Sequence, residues 1–125
     1  MFDMKKMNWT FIITIALLLF SCKSTLVSTD RPNLATLKDG VYEGNATGLD
    51  KATVRIVLEN HHIMAVKLIR FEATHFGQKA KDSIPARIFR LQTPLVDAVT
   101  GATEGSNIII NATIDAMKKA ESISN

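Results

Sequence analysis

Two apolar alternations flanking a short polar turn constrain this chain more than any other feature. Val54, Ile56 and Leu58 alternate with Thr53, Arg55 and Val57; Met64, Val66 and Leu68 alternate with Ala65, Lys67 and Ile69 up to about Phe71. Successive side chains of a strand point to opposite faces, so each run reads as a strand buried on one side. Asn60-His61 between them suits a tight turn, which makes the two runs a hairpin. Residues 41–46, opened by Asp39-Gly40 and bounded by Gly48, supply an earlier strand, and together the strands form an antiparallel meander.

The period changes after Phe71. A short helix is expected near residues 78–82, then a second with Ser83 as N-cap, Pro85 just inside it, and Ile84, Ile88 and Leu91 as its apolar stripe. A last helix is expected over residues 106–120. Ile109, Ala112, Ala116 and Met117 share one side of it, with Ile110, Thr113 and Ile114 alongside, so most of its surface is predicted to be buried. Strands first and helices after imply an α+β domain: a small antiparallel sheet of about three strands, helices packed on one face.

The N-terminus reads as an export signal. Lys5 and Lys6 precede an apolar run from Trp9 to Phe20, which is short for a membrane span of ~20 residues and fits the ~7–15-residue core of a secretory signal. It ends in Leu19-Phe20-Ser21-Cys22, which resembles a bacterial lipobox. That resemblance implies cleavage after residue 21 and a diacylglycerol thioether on Cys22, the only cysteine of the chain. An ordinary signal peptide or a short signal anchor with an incidental thiol is the alternative. Residues 22–36, Ser/Thr-rich with an Asp30-Arg31-Pro32-Asn33 turn, read as a tether, and residues 37–122 as one domain. The location implied is extracytoplasmic: lipid-anchored on a bacterial membrane, on the periplasmic side or the cell surface.

Charge narrows the partners little. The formal net charge is +3, and loss of Lys5, Lys6 and Asp3 with the signal lowers it by one. No basic run with interleaved aromatics is present, so nothing points to nucleic acid. His61-His62 has no acidic or Cys companion at ligand spacing, so no metal site is expected.

The remaining conspicuous segment is Asp97-Ala98-Val99-Thr100-Gly101-Ala102-Thr103, with Ser106 just beyond and an apolar helical run after it. Gly101 permits a positive φ and close approach of a ligand to the backbone. Ala102 keeps the neighbouring space small. Thr103 is expected just before a helix, where free N–H groups and the helix dipole favour an anion. On these residues alone Thr103 and Ser106 also read as helix N-caps, Asp97 as a turn cap and Thr100 as structural. Tyr42 and Phe76 read as core, with stacking on a bound aromatic ring as the alternative for each, and His75 reads as an exposed loop residue, with a ligand contact as its alternative.

The segment resembles the D-x-x-[ST]-G-A-[ST] attachment signature of the FMN-binding domain family. Upstream, Asp39-Gly40-Val41-Tyr42-Glu43-Gly44 is similar to that family's D-G-x-Y-x-G opening. Glu72-Ala73-Thr74-His75-Phe76-Gly77 is similar to its middle element, without the Pro and second Gly common there. The resemblance spans residues 39–120. It implies FMN held covalently by a phosphodiester to Thr103, with Thr100, Gly101, Ala102, Asp97 and Ser106 around the cofactor and His75 and Tyr42 as further contacts. It also implies a separate flavin transferase that makes the bond from FAD, and a membrane-bound electron donor or acceptor. The protein would then be an electron carrier similar to small relatives of the flavin-bearing subunits of sodium-translocating NADH:quinone reductase, with no acid–base pair of its own. The other class open to the sequence is a lipid-anchored binding or structural module, with non-covalent FMN or no cofactor.

Overall fold

The computed structural model describes Val27 and residues 31–122. The signal segment and Cys22 lie outside the described residues. Within them, strands β1 (Gly40–Thr47), β2 (Lys51–Glu59) and β3 (His62–Glu72) precede helices α1 (Ala80–Leu91) and α2 (Thr103–Ser122). The sheet is antiparallel in the order β1-β2-β3, so the chain is a small α+β fold. No helix among the described residues is long and apolar enough to cross a membrane.

Asn60 and His61 form the β2–β3 turn, with φ of 50° and 63°. Positive φ at both central residues suits a turn whose twist matches that of the flanking strands. β2 buries Ala52, Val54, Ile56 and Leu58, and their partners on β3 are Phe71, Leu68, Val66 and Ile63. The alternation in β3 is therefore not continuous: register shifts opposite Thr53/Val54 and Val57/Leu58 leave Ile69 and Met64 as extra residues. Each bulge resets which side chain faces inward. Met64, expected inward with Val66 and Leu68, is turned to solvent, and Ile63 takes its place in the core.

Both helices lie on the inner face, α2 against β1 and β2, α1 against β3 and α2. α2 carries Ala112, Ala116 and Ala120, all fully buried, at four-residue spacing on one line of the helix. That line meets Gly44. A Cβ on Gly44 would collide with the carbonyl oxygen of Ala112 and the amide of Ala116, and would reach 2.9 Å from the Ala116 Cβ. Helix backbone and strand backbone are thus in direct contact. The opposite flanks of α2 bury Ile108, Ile109, Ile110 and Ile114.

Side chains cap part of each free edge of the sheet. At β1, Asp115 Oδ2 accepts from the Asn45 amide at 2.9 Å and Lys119 Nζ donates to the Glu43 carbonyl at 2.6 Å. At β3, the Gln92 amide accepts from Ile63 N–H at 2.8 Å and donates to the Ile63 carbonyl at 3.0 Å, as a strand partner would. Unpaired edge groups invite pairing with another chain, and these contacts block it at Glu43, Asn45 and Ile63.

Three sequence expectations for the helices need correction. Ser83 is not an N-cap: a 3-10 turn, Gly77–Lys79, runs straight into α1, and Pro85 lies in the helix interior. Ala80, Ile84 and Ile88 make one continuous buried stripe, and its burial against the sheet outweighs the hydrogen bond that Pro85 forfeits. Leu91 is exposed, because Gln92 (φ 54°) ends the helix and anchors it to β3. α2 begins at Thr103, a turn earlier than expected. The end of the segment read as tether is structured as well: Leu34–Thr36 form a 3-10 turn capped by the Asn33 side chain, and Leu34 packs on the core.

Candidate functional site

The loop between α1 and α2 is shaped by a turn and one buried hydroxyl. Ala102 N–H donates to the Val99 carbonyl at 2.9 Å, and Gly101 between them has φ of 80°. A positive φ at the third turn position is what glycine supplies without steric cost. Ser106, fully buried, holds both ends of this turn. Its Oγ accepts from Val99 N–H at 3.0 Å and donates to the Ala102 carbonyl at 2.7 Å. Arg87 of α1 donates to the Asp97 carbonyl at 2.7 Å and ties the loop to the neighbouring helix.

The turn delivers Thr103 to the first position of α2. Ala102 is the residue before the helix, its carbonyl accepting from Ser106 N–H at 2.9 Å. Alanine has no side-chain oxygen to cap with. The amides of Thr103, Glu104 and Gly105 therefore point out of the helix end with no acceptor among the described residues. Thr103 is exposed, and its hydroxyl makes no hydrogen bond among those residues. This position excludes the N-cap reading for Thr103, and Ser106, one turn inside, is a brace for the loop.

A second wall comes from the segment after β3. Asp50 in the β1–β2 turn is 1% exposed, and its Oδ1 accepts from the Thr74 amide at 3.2 Å. Thr74 Oγ1 in turn accepts from the Gly77 amide at 3.2 Å. Gly77 packs directly on the first turn of α2: a Cβ on Gly105 would lie 2.6 Å from the Gly77 carbonyl oxygen. Between the walls is an open cleft of about 330 Å³ lined by Thr74, Phe76, Gly77 and the run from Gly101 to Gly105, within the range of ~300–1,000 Å³ typical of small-molecule sites. Two buried carboxylate oxygens beside it, Asp50 Oδ2 and Glu104 Oε2, have no hydrogen-bond partner among the described residues.

The cleft brings Gly101, Ala102 and Thr103 together and leaves other sequence candidates outside its lining. Thr100 and Asp97 are exposed on the approach to the turn. His75 is exposed and touches Phe76 edge-on, its ring centroid 5.8 Å away, without lining the cleft. Tyr42 lies at the far end of the sheet, opposite Ile56, with its hydroxyl donating to the Lys38 and Asp39 carbonyls. It packs on the core and does not reach the cleft. Phe76 is the reverse case: expected in the core, it is 64% exposed on the cleft rim.

Asp50, Glu104 and Gly105 were not singled out from sequence. A glycine within an otherwise helical run is a signal for close packing and marks Gly105. Nothing local distinguishes Asp50 from a solvated turn residue.

The fold resembles the crystal structure of the CPE2226 protein from Clostridium perfringens, with a TM-score of 0.56 and 21% identity over 69% of this chain and 90% of that one. At that identity the likeness is one of fold. No protein-family model and no curated protein matches the chain.

Proposed function

We propose that the chain is an extracytoplasmic, lipid-anchored flavoprotein that carries FMN through a phosphodiester to Thr103 and passes electrons between membrane-associated partners. The observation that carries this reading is the meeting in one cleft of two segments far apart in sequence, 74–77 and 101–105, around an exposed threonine hydroxyl without a partner among the described residues. Both segments belong to the stretches that resemble the FMN-binding domain family.

The residues present fit the group. A phosphodiester retains one negative charge, and the free amides of Thr103, Glu104 and Gly105 at the start of a 20-residue helix would hold it. Ser106 fixes the turn from beneath, so the Thr103 hydroxyl stands at a defined point and not on a mobile loop. The buried Glu104 Oε2 has the wrong charge for the phosphate but suits a donor, such as a ribityl hydroxyl or a ring N–H. Attachment exchanges the O–H bond of Thr103 for an O–P bond: the pyrophosphate of FAD breaks, AMP leaves, and a flavin transferase takes the proton. When bound, FMN supplies one- and two-electron chemistry, and the protein supplies anchoring and orientation.

The test is co-expression of the full-length chain with a bacterial flavin transferase, beside Thr103→Val. The tryptic peptide 91–118 should gain the mass of FMN less one water, with fluorescence that survives denaturation, in the wild type alone. No gain, while the same transferase loads another substrate in the same cells, would leave a module with loosely held FMN or none.

A further inference from the structure

Phe76 is hard to account for as a packing residue. It is a large aromatic with 64% of its surface exposed, in a loop whose neighbours Thr74 and Gly77 are pinned by Asp50 and by α2. Its ring is not left loose. His75 meets it edge-to-face at 72° between planes, and Lys79 Nζ stands 6.0 Å from the centroid over one face. Both contacts are made at the surface, so the ring contributes little to the core. Exposing a phenyl group to water is unfavourable in proportion to its apolar area. The loop nonetheless directs it to the rim of the cleft that holds Gly101, Thr103 and Gly105.

We propose that Phe76 is the stacking platform for the isoalloxazine ring, an inference that rests on FMN attachment at Thr103. The attachment point and the platform line one cleft, brought together by the close packing of Gly77 on Gly105. Lys79 occupies one face of the phenyl ring, so the flavin takes the other. Offset stacking of aromatic planes is the favoured contact, and a cation behind the phenyl ring polarises it further. The chain thereby divides the work: α2 and its turn bind the phosphate end, and the loop after β3 binds the ring end.

The experiment uses the full-length flavinylated protein and reads, per bound flavin, the intensity and the anisotropy of flavin emission. Wild type, Phe76→Ala and Phe76→Trp are compared. Phenyl does not quench flavin emission, so in the wild type anisotropy reports whether the ring is held; indole in contact quenches by electron transfer, so in Phe76→Trp intensity reports the contact. Anisotropy should fall from wild type to Phe76→Ala, and Phe76→Trp should be much dimmer than either. Loss of the aromatic contact should lower the ratio of stacked to free ring by roughly 2- to 12-fold, the span such contacts supply. Equal anisotropy in wild type and Phe76→Ala overturns the platform while leaving attachment intact. Emission from Phe76→Trp as bright as from wild type also overturns it. No flavin on the wild type overturns the reading of Thr103 beneath it.

Discussion

Ser106 and Thr113 offer a test of what a buried hydroxyl contributes. Both are fully buried in α2, and both donate to the carbonyl four residues back, Ser106 to Ala102 at 2.7 Å and Thr113 to Ile109 at 2.9 Å. They differ in one respect: Ser106 Oγ also accepts from Val99 N–H, and Thr113 accepts from nothing among the described residues. In Ser106→Ala the Ala102 carbonyl keeps the Ser106 amide as its donor, so it is not orphaned. Val99 N–H loses its acceptor. An unsatisfied donor costs about 1–3 kcal/mol when buried; the Val99 bond is part-buried, so the lower part of that range applies, and the better helix propensity of Ala returns a few tenths. The net expectation is a loss of about 1–2 kcal/mol, or a fall in Tm of about 5–15 °C at ~4–8 °C per kcal/mol for a domain of this size. In Thr113→Val no donor is orphaned and a methyl replaces the hydroxyl at nearly constant volume, so the change should stay within about 1 kcal/mol. Thermal and urea unfolding followed by circular dichroism measure both. A Thr113→Val loss as large as that of Ser106→Ala, or an unchanged Ser106→Ala, would refute the claim that Val99 depends on this oxygen.

Gly44→Ala should be more damaging than either, because the colliding atoms are helix backbone and cannot rotate away. The cost is expected at or beyond the top of the ~1–3 kcal/mol range for overpacking, visible as a large drop in the urea midpoint. Gly101→Ala meets no atom of the described residues within 4 Å and should cost only the left-handed backbone penalty, about 1–2 kcal/mol; a larger loss would mean that the turn is packed, not open. Thr103→Val should abolish flavin attachment while leaving apo stability within about 0.5 kcal/mol, as for other exposed sites; unfolding curves of the unloaded protein decide it. Glu43→Gln removes the charge from the 2.6 Å contact with Arg55 and keeps an acceptor there, and both side chains are nearly half exposed, so less than about 1 kcal/mol should be lost, and less still in high salt.

Much of the architecture was legible because it rests on local periodicity. Val54, Ile56 and Leu58 can bury one face only as a strand, and Asn60-His61 admits the positive φ angles that fold the hairpin back. The apolar positions of residues 106–120 could not be covered except by a helix in the interior. What local patterns misjudged was decided by contacts between elements. Two bulges in β3 set Met64 outward and Ile63 inward, and no alternation in one strand reveals a register shift against another. Pro85 signals a helix start, yet the stripe Ala80, Ile84 and Ile88 gains more by continuing back to Gly77 than the interrupted hydrogen bond costs.

The candidate site divides the same way. The sequence by itself placed Gly101 at a turn and Thr103 just ahead of a buried helix, because these follow from backbone conformation and helical phase; that the helix begins at Thr103 itself, a turn earlier, is a finding of the structure. Only the tertiary structure decided that the segment after β3 forms the opposite wall, that Asp50 pins it, and that Phe76 faces the cleft while Tyr42 belongs to the core. The physical reason is range. A turn or a helix end is set by neighbours a few residues away, whereas a cleft is set by how closely two backbones approach. Here that distance depends on single glycines, Gly44 under α2 and Gly105 against Gly77, whose role becomes visible only when the partner strand or loop is in place.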